Sequence, residues 1–305
     1  MRYHAISIGS AVPHDNFDMV IQSVFDSSVN LRLKYENRLL TILISDHYEL
    51  PQGIRLNAKN APLQSLTVGQ RGVCRDKILR FGSSPLSIDL REASIWKAPL
   101  PLIDISKPIT KRAWLITWQA LNRQQRLKQT DLLAEDLLHI DQGPVLTRKL
   151  SAPVRELTEA TKYFDTESSA NAARKMIGLG PGVTPAGDDI LIGYLAGLWS
   201  TVGENKEKTR FIESFGKALL QIMDQTNEIS RTYLYHAVHG QFSSSLINLL
   251  HVMDVGDEEH VLMTTKDAMR VGHSSGMDSV TGLLIGITTW EESPAFHAKK
   301  RIERA

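Results

Sequence analysis

Over residues 1 to 108 the apolar positions fall in short runs rich in branched side chains, broken by glycine, proline, asparagine and serine, the pattern of strands joined by turns. Residues 29–35 and 39–45 show it best: Val29, Leu31 and Leu33 alternate with Asn30, Arg32 and Lys34, and Glu36, Asn37 and Arg38 supply a turn. That pair predicts a β-hairpin with one buried face. Further strands are expected at 5–8, 53–56, 86–90 and 95–98. The proline-marked stretch 99–108 then gives way to apolar positions recurring every three and four residues, beginning with 110–127, and helices are expected from there on. The spacing places them at 131–139, 154–164, 168–177, 206–224, 229–239, 243–253, 258–271 and 277–290, with a buried helix also at 190–199. The expected fold class is α+β: a β-rich, sandwich or barrel-like domain over residues 1–108, then a mainly α-helical domain over 109–305 that carries the candidate site.

Within the helical part, Gly178-Leu179-Gly180-Pro181-Gly182-Val183-Thr184-Pro185-Ala186-Gly187-Asp188-Asp189 sets three glycines and a proline ahead of a helix start. Thr184 is expected to cap that helix and Pro185 to take its first position, where the missing N–H costs nothing. Asp188 and Asp189 follow in or near the first turn, where carboxylates interact favourably with the helix dipole. A second copy follows. Gly276, Asp278, Gly282 and Gly286 each lie 89 residues after Gly187, Asp189, Gly193 and Gly197, and His273 stands where the first copy has Thr184. Glycine inside a helix costs roughly 1 kcal/mol relative to alanine, so four of them imply close backbone contact in return. The two helices are therefore expected to cross tightly and to bring Asp189 and Asp278 towards one polar pocket.

Composition narrows the function classes. The chain has 305 residues, 42% hydrophobic and 23% charged, ordinary values for a folded globular protein. Its formal net charge is +1 and no long basic run precedes the tail Lys299-Lys300-Arg301, so no nucleic-acid partner is expected. A single cysteine, Cys74, excludes an internal disulfide and any multi-cysteine metal site. The first ten residues lack the features of a signal peptide, and the apolar stretches 190–199 and 280–290 fall short of the ~20 residues that span a bilayer. A cytoplasmic protein without a membrane partner is the expectation.

Helix starts and glycine turns present unpaired N–H groups, the requirement for holding phosphate or carboxylate. The loop is no Walker motif, and no GxGxxG after a strand supports a dinucleotide. Two readings of the aspartates stand side by side: they bind Mg²⁺ or position an amide N–H at a shared pocket, or they cap loop N–H groups. Between the copies, Thr226 or Asn227 caps a helix or contacts a ligand, and Ser230 lies on one face with Tyr233 and Ala237. His236 and His239 have the i, i+3 spacing of shared metal ligands, but no HExxH supports them. His273, before Ser274, Ser275 and Gly276, is placed either to move a proton or bind an anion, or as a structural histidine. No Gly-x-Ser-x-Gly elbow occurs.

The segment from Gly178 to Asp189, the segment from Ser230 to Gly240, and Gly272-His273-Ser274-Ser275-Gly276-Met277-Asp278 together closely resemble the AllH-type family, subunits of the bacterial oxamate carbamoyltransferase of anaerobic allantoin breakdown and their relatives. The resemblance covers most of residues 174–286; the N-terminal third agrees in general pattern, including Ser23-Val24-Phe25 and Val29-Asn30-Leu31. Ala186-Gly187 stands where relatives vary. The resemblance implies carbamoyl transfer between phosphate and oxamate, within an assembly that includes FdrA-type and AllG-type subunits. It implies that Gly180, Gly182 and Thr184 hold phosphate or carboxylate, with Gly187, Asp188, Asn227, Ser230, Ser274, Ser275 and Gly276 also contacting substrate. Asp189 and Asp278 would orient the amide or Mg²⁺, and His273 would assist proton movement. The competing expectations are a non-catalytic assembly subunit and a small-anion-binding regulatory module.

Overall fold

A computed structural model describes residues 1–35, 38–44, 48–139 and 142–290. Most of the predicted 36–38 turn, Ser45 and the basic tail at 299–301 lie outside them. The chain divides into two compact units, one of residues Met1–Pro99 with Phe242–Ser244, the other of Leu100–Gln241 and the chain from Ser245 onward.

The first unit holds nine strands: β1 Arg2–Gly9, β2 Phe17–Val24, β3 Ser28–Leu33, β4 Leu39–Leu43, β5 Gly53–Leu56, β6 Arg71–Arg75, β7 Ile78–Phe81, β8 Ser87–Asp89 and β9 Ser94–Trp96. Their order is β5-β4-β3-β2-β6-β7-β8-β1-β9, and an additional β1–β5 pairing closes the first eight into a barrel. β1 makes closure feasible by changing partners along its length: Arg2–His4 run parallel to β8, Ser7–Gly9 run parallel to β9, and an irregularity between Ala5 and Ser7 interrupts its antiparallel pairing with β5. Closure leaves no open edge on those eight strands. Met19, Ile21, Leu31, Ile42, Ile54, Leu79, Phe81 and Ile88 fill the core.

The predicted hairpin exists as β3 and β4, paired antiparallel from Ser28↔Leu43 to Arg32↔Leu39. Its single buried face is corrected. Asn30, assigned outward by the alternation, is buried, and β4 is buried at every position. The Asn30 amide is satisfied where it lies, donating to Ser23 Oγ at 3.0 Å and accepting from Thr41 Oγ1 at 2.8 Å, so its burial carries no unpaired polar group. The strands β2, β6 and β7 were not among those expected.

The second unit is helical: α1 Pro108–Lys128, α2 Val145–Lys162, α3 Thr166–Arg174, α4 Ala186–Ser200, α5 Lys206–Leu220, α6 Glu228–Val238, α7 Ser244–Val255, α8 Glu258–Met269 and α9 Ser275–Thr288. Two expectations change. No α-helix forms over 131–139, where only a 3-10 turn at Asp136–Leu138 appears. Side chains from α1 and α2 take the N–H groups that would start such a helix: Thr147 Oγ1 accepts from Leu133 N, Gln125 Oε1 from Ala134 N, and Asn122 Oδ1 from Glu135 N. Conversely, α2 begins nine residues ahead of the expected start at 154 and carries Pro153 inside it. The stripe Leu150, Val154 and Leu157 is buried, and that packing outweighs the hydrogen bond the proline forgoes.

At the centre, α4 and α9 are buried nearly all round, including positions that are polar or glycine, the character of helices enclosed by other helices. Trp114 of α1 donates its indole N–H to Leu284 O of α9 at 3.0 Å, and Gln125 Nε2 reaches Thr281 Oγ1 at 3.3 Å. No helix among the described residues is long and apolar enough to cross a membrane.

Candidate functional site

The glycines of α4 and α9 interlock. A Cβ on Gly193 would run into Ser279 O, and one on Gly282 into Ile190 O; a Cβ on Gly197 would meet Leu283 O, and one on Gly286 would meet Tyr194 O. Each contact is the other with 89 added to one partner and removed from the other, so the sequence echo corresponds to a local two-fold relation between the helices. The tight crossing expected from the glycine spacing is present.

That crossing sets the first turns of both helices together. Asp189 is 5% exposed and Asp278 2%. The Thr184 and Ser275 hydroxyls, 2.6 Å from each other, both flank the Asp189 carboxyl. Burial holds the Asp189 pKa well above the usual carboxylate range, and the negative charge of Asp278 adds to the shift. Asp278 is pushed up to about 7 by burial, opposed by the Ser274 hydroxyl. No cationic side chain is among the groups acting on either carboxyl. One oxygen of each, Asp189 Oδ2 and Asp278 Oδ1, is buried without a hydrogen-bond partner. The sequence places the aspartates at a shared pocket; here they converge and are enclosed. A cavity of about 390 Å³ lies elsewhere, in the barrel unit, lined by Ser65, Thr67, Gln70, Ser83, Ser84 and Pro85.

Asp188 points the other way. Its carboxylate accepts the Gly178 N–H at 2.8 Å and the Thr226 hydroxyl at 2.5 Å, fully buried. Burial raises its pKa and these two hydrogen bonds oppose the rise. The Ser230 hydroxyl is near this carboxylate, buried, and outside hydrogen-bond geometry. Asn227, not Thr226, caps α6: Oδ1 accepts from Ile229 N and Ser230 N at 3.0 and 3.1 Å, while Nδ2 donates to Val183 O at 2.9 Å. Asp188 and Asn227 thus fasten the glycine loop to the start of α6.

The loop turns on Gly178, Gly180 and Gly182, all with positive φ (74°, 125° and 96°), conformations that favour glycine. Thr184 does not cap α4. The N-cap is Pro185, without a side-chain cap bond, and Thr184 spends its hydroxyl on the contact to Ser275. Gly187 and Gly276 are packing residues whose N–H groups donate to Leu179 O and Val271 O, both at 2.9 Å. His273 is exposed, just ahead of the start of α9. His236 pairs with Gln241 and His239 with Tyr235 O, and among the described residues no group of three or more His, Cys, Asp or Glu is arranged to hold a metal. Any Mg²⁺ at the aspartates would therefore draw on two carboxylates and hydroxyls. One group the sequence reading passed over is Arg231, whose Nε is buried without a partner; the signal was its position four residues after Asn227 on one helical face.

A family model described as oxamate carbamoyltransferase subunit AllH matches residues 176–287, and one described as the AllH family N-terminal domain matches residues 4–95. The chain belongs to the AllH family. The first AllH segment runs from just before the glycine loop almost to the end of α9, so both loop-and-helix copies and the α6 start lie inside it. The AllH N-terminal segment spans all but the first strand residues of β1 and the last residue of β9. No solved structure matches the chain.

Proposed function

We propose that this AllH-family protein is a working subunit of a carbamoyltransferase of allantoin breakdown, converting oxalurate and phosphate into oxamate and carbamoyl phosphate. One observation carries the reading: two enclosed carboxyls, each with a partnerless oxygen, stand where two loop-and-helix copies meet inside the family's matched segment. In the reaction a phosphate oxygen attacks the carbamoyl carbon, the bond from that carbon to the oxamate nitrogen breaks, and the departing nitrogen takes a proton. A carboxyl whose pKa is raised to about 7, as at Asp278, is suited to give that proton and recover it near neutral pH. Asp189 positions the amide, and the exposed His273 exchanges the proton with water. Gly180, Gly182 and Thr184 hold the phosphate or carboxylate, and N–H groups at the helix starts stabilise negative charge on the carbamoyl oxygen. Ser274 and Ser275 complete the polar wall; Gly187, Asp188, Asn227, Ser230 and Gly276 shape it. Were Mg²⁺ to bind, Asp189 and Asp278 with the neighbouring hydroxyls would hold it, and it would supply positive charge to the reacting oxygens.

The burial of the pair favours a second reading, a non-catalytic assembly or anion-binding regulatory subunit. Reconstitution with FdrA-type and AllG-type subunits separates the two. Carbamoyl phosphate formation from oxalurate and phosphate is expected to fall roughly a hundredfold or more in Asp189→Asn and Asp278→Asn complexes. Undiminished turnover in both would assign the chain to the scaffold.

A further inference from the structure

The side chain of Arg231 has no hydrogen bond or ion pair among the described residues, and its Nε is buried. It differs in this from Arg2, Arg75, Arg91, Arg112, Arg126 and Arg270, each of which meets a carboxylate. An arginine stays charged at any physiological pH, so a partly buried guanidinium without an acceptor is held at a cost that an anion would remove.

Its place in the fold says where that anion belongs. Asn227 lies one helical turn before Arg231 on the same face of α6, and its Nδ2 donates to Val183 O of the glycine loop at 2.9 Å. Helical side chains lean towards the N-terminus of their helix, which directs the Arg231 stem along the face that Asn227 fastens to the loop. On that loop Gly182 is exposed, and a Cβ built on it would find nothing within 4 Å, so there is open space beside a turn of positive-φ glycines. Asp188 does not serve as the counterion: both its oxygens are engaged, by Gly178 N–H and the Thr226 hydroxyl. The planar fork of a guanidinium matches the paired oxygens of a carboxylate or phosphate.

We propose that Arg231 is an anion-binding residue that holds the carboxylate or phosphate of a small substrate against the 178–184 loop. This rests on the reading of that loop as an anion site and adds to it the cation that the loop itself lacks.

The test is calorimetric titration of the full chain, alone, with inorganic phosphate, oxamate and the neutral diamide oxamide. The wild type is expected to bind phosphate, oxamate or both, and not oxamide; which anion binds identifies the group. Arg231→Gln should weaken that binding roughly ten- to hundredfold, with Arg231→Lys between. The melting temperature of Arg231→Gln without ligand should equal or exceed that of the wild type, because an unpaired charge has been removed, whereas a structural role would lower it. Binding in Arg231→Gln equal to wild type, or a wild type that binds neither anion, would overturn the assignment. Anion binding that depends on Arg231, in a chain whose reconstituted complex forms no carbamoyl phosphate, would keep the assignment and remove the carbamoyltransferase reading instead.

Discussion

Gly193 of α4 lies so close to the Ser279 carbonyl of α9 that no side chain fits between them, and Gly282 stands in the same relation to Ile190. The exchange of roles explains why helix-weakening glycines recur at a fixed interval in both copies. Each helix gives up roughly 1 kcal/mol per glycine in propensity and gains a backbone-to-backbone approach that carries the first turns, and with them Asp189 and Asp278, to the same place.

Alanine at Gly193 or Gly282 therefore forces the helices apart. Each substitution is expected to lower the unfolding free energy by about 3 kcal/mol or more, and the two should cost alike because their surroundings are related by the local two-fold. Gly182→Ala sets the control: its φ of 96° strains any other residue, but nothing surrounds it, so about 1–2 kcal/mol is expected. Urea denaturation of the three variants measures both statements. Equal costs at Gly182 and Gly193 would contradict the close-packing account.

Asp188 is expected to matter for stability through its two buried hydrogen bonds. Asp188→Ala leaves the Gly178 N–H and the Thr226 hydroxyl without their acceptor and should cost about 2–4 kcal/mol. Asp188→Asn keeps the shape and part of the bonding and should cost less. Thr226→Ala in an Asp188→Ala background should add little, since the partner is already gone; thermal melts of the double-mutant cycle decide it.

What the sequence disclosed follows from how local each feature is. The β3–β4 hairpin and the α4–α9 pair were readable because alternation and repeated glycines sit close together along the chain. β6 escaped because its inward residues, Gly72 and Cys74, are small and make no apolar run, whereas β2 and β7 do alternate, through Met19 and Ile21 and through Leu79 and Phe81, but too briefly to stand out. Asn30 was assigned outward because alternation along one strand says nothing of its cross-strand neighbours Ser23 and Thr41, which supply its hydrogen bonds. The helix expected at 131–139 failed because its N–H groups find Thr147, Gln125 and Asn122, partners up to fourteen residues away. At the candidate site, the convergence of Asp189 and Asp278 could be inferred from periodicity. Their enclosure could not, since it depends on residues distant in the chain packing around them, and Arg231 became conspicuous only when its side chain showed no acceptor.

The enclosed carboxyl pair also fixes a pH dependence. Asp278 has a folded pKa of about 7 against an ordinary value of 3.8, and Asp189 is raised as well. In the folded protein both therefore bind a proton more tightly than in the unfolded chain. The sign follows: the stabilisation from protonation is complete below about pH 4 and is lost as pH rises towards 7 and beyond. Near the pair stand Asp188 and the hydroxyls of Thr184, Ser274 and Ser275, with no cation among the acting groups to offset the loss. Asp278→Asn removes one titrating group while keeping its shape, so its stability relative to wild type should rise with pH across that window, by on the order of 2–4 kcal/mol. Urea unfolding of both proteins at pH 5 and pH 8, each in EDTA and again with Mg²⁺, provides the measurement. A difference between the two proteins that stays constant with pH in EDTA would show that Asp278 titrates as an ordinary exposed carboxylate. Loss of the pH dependence of the wild type on adding Mg²⁺ would show that a cation takes the place of the proton.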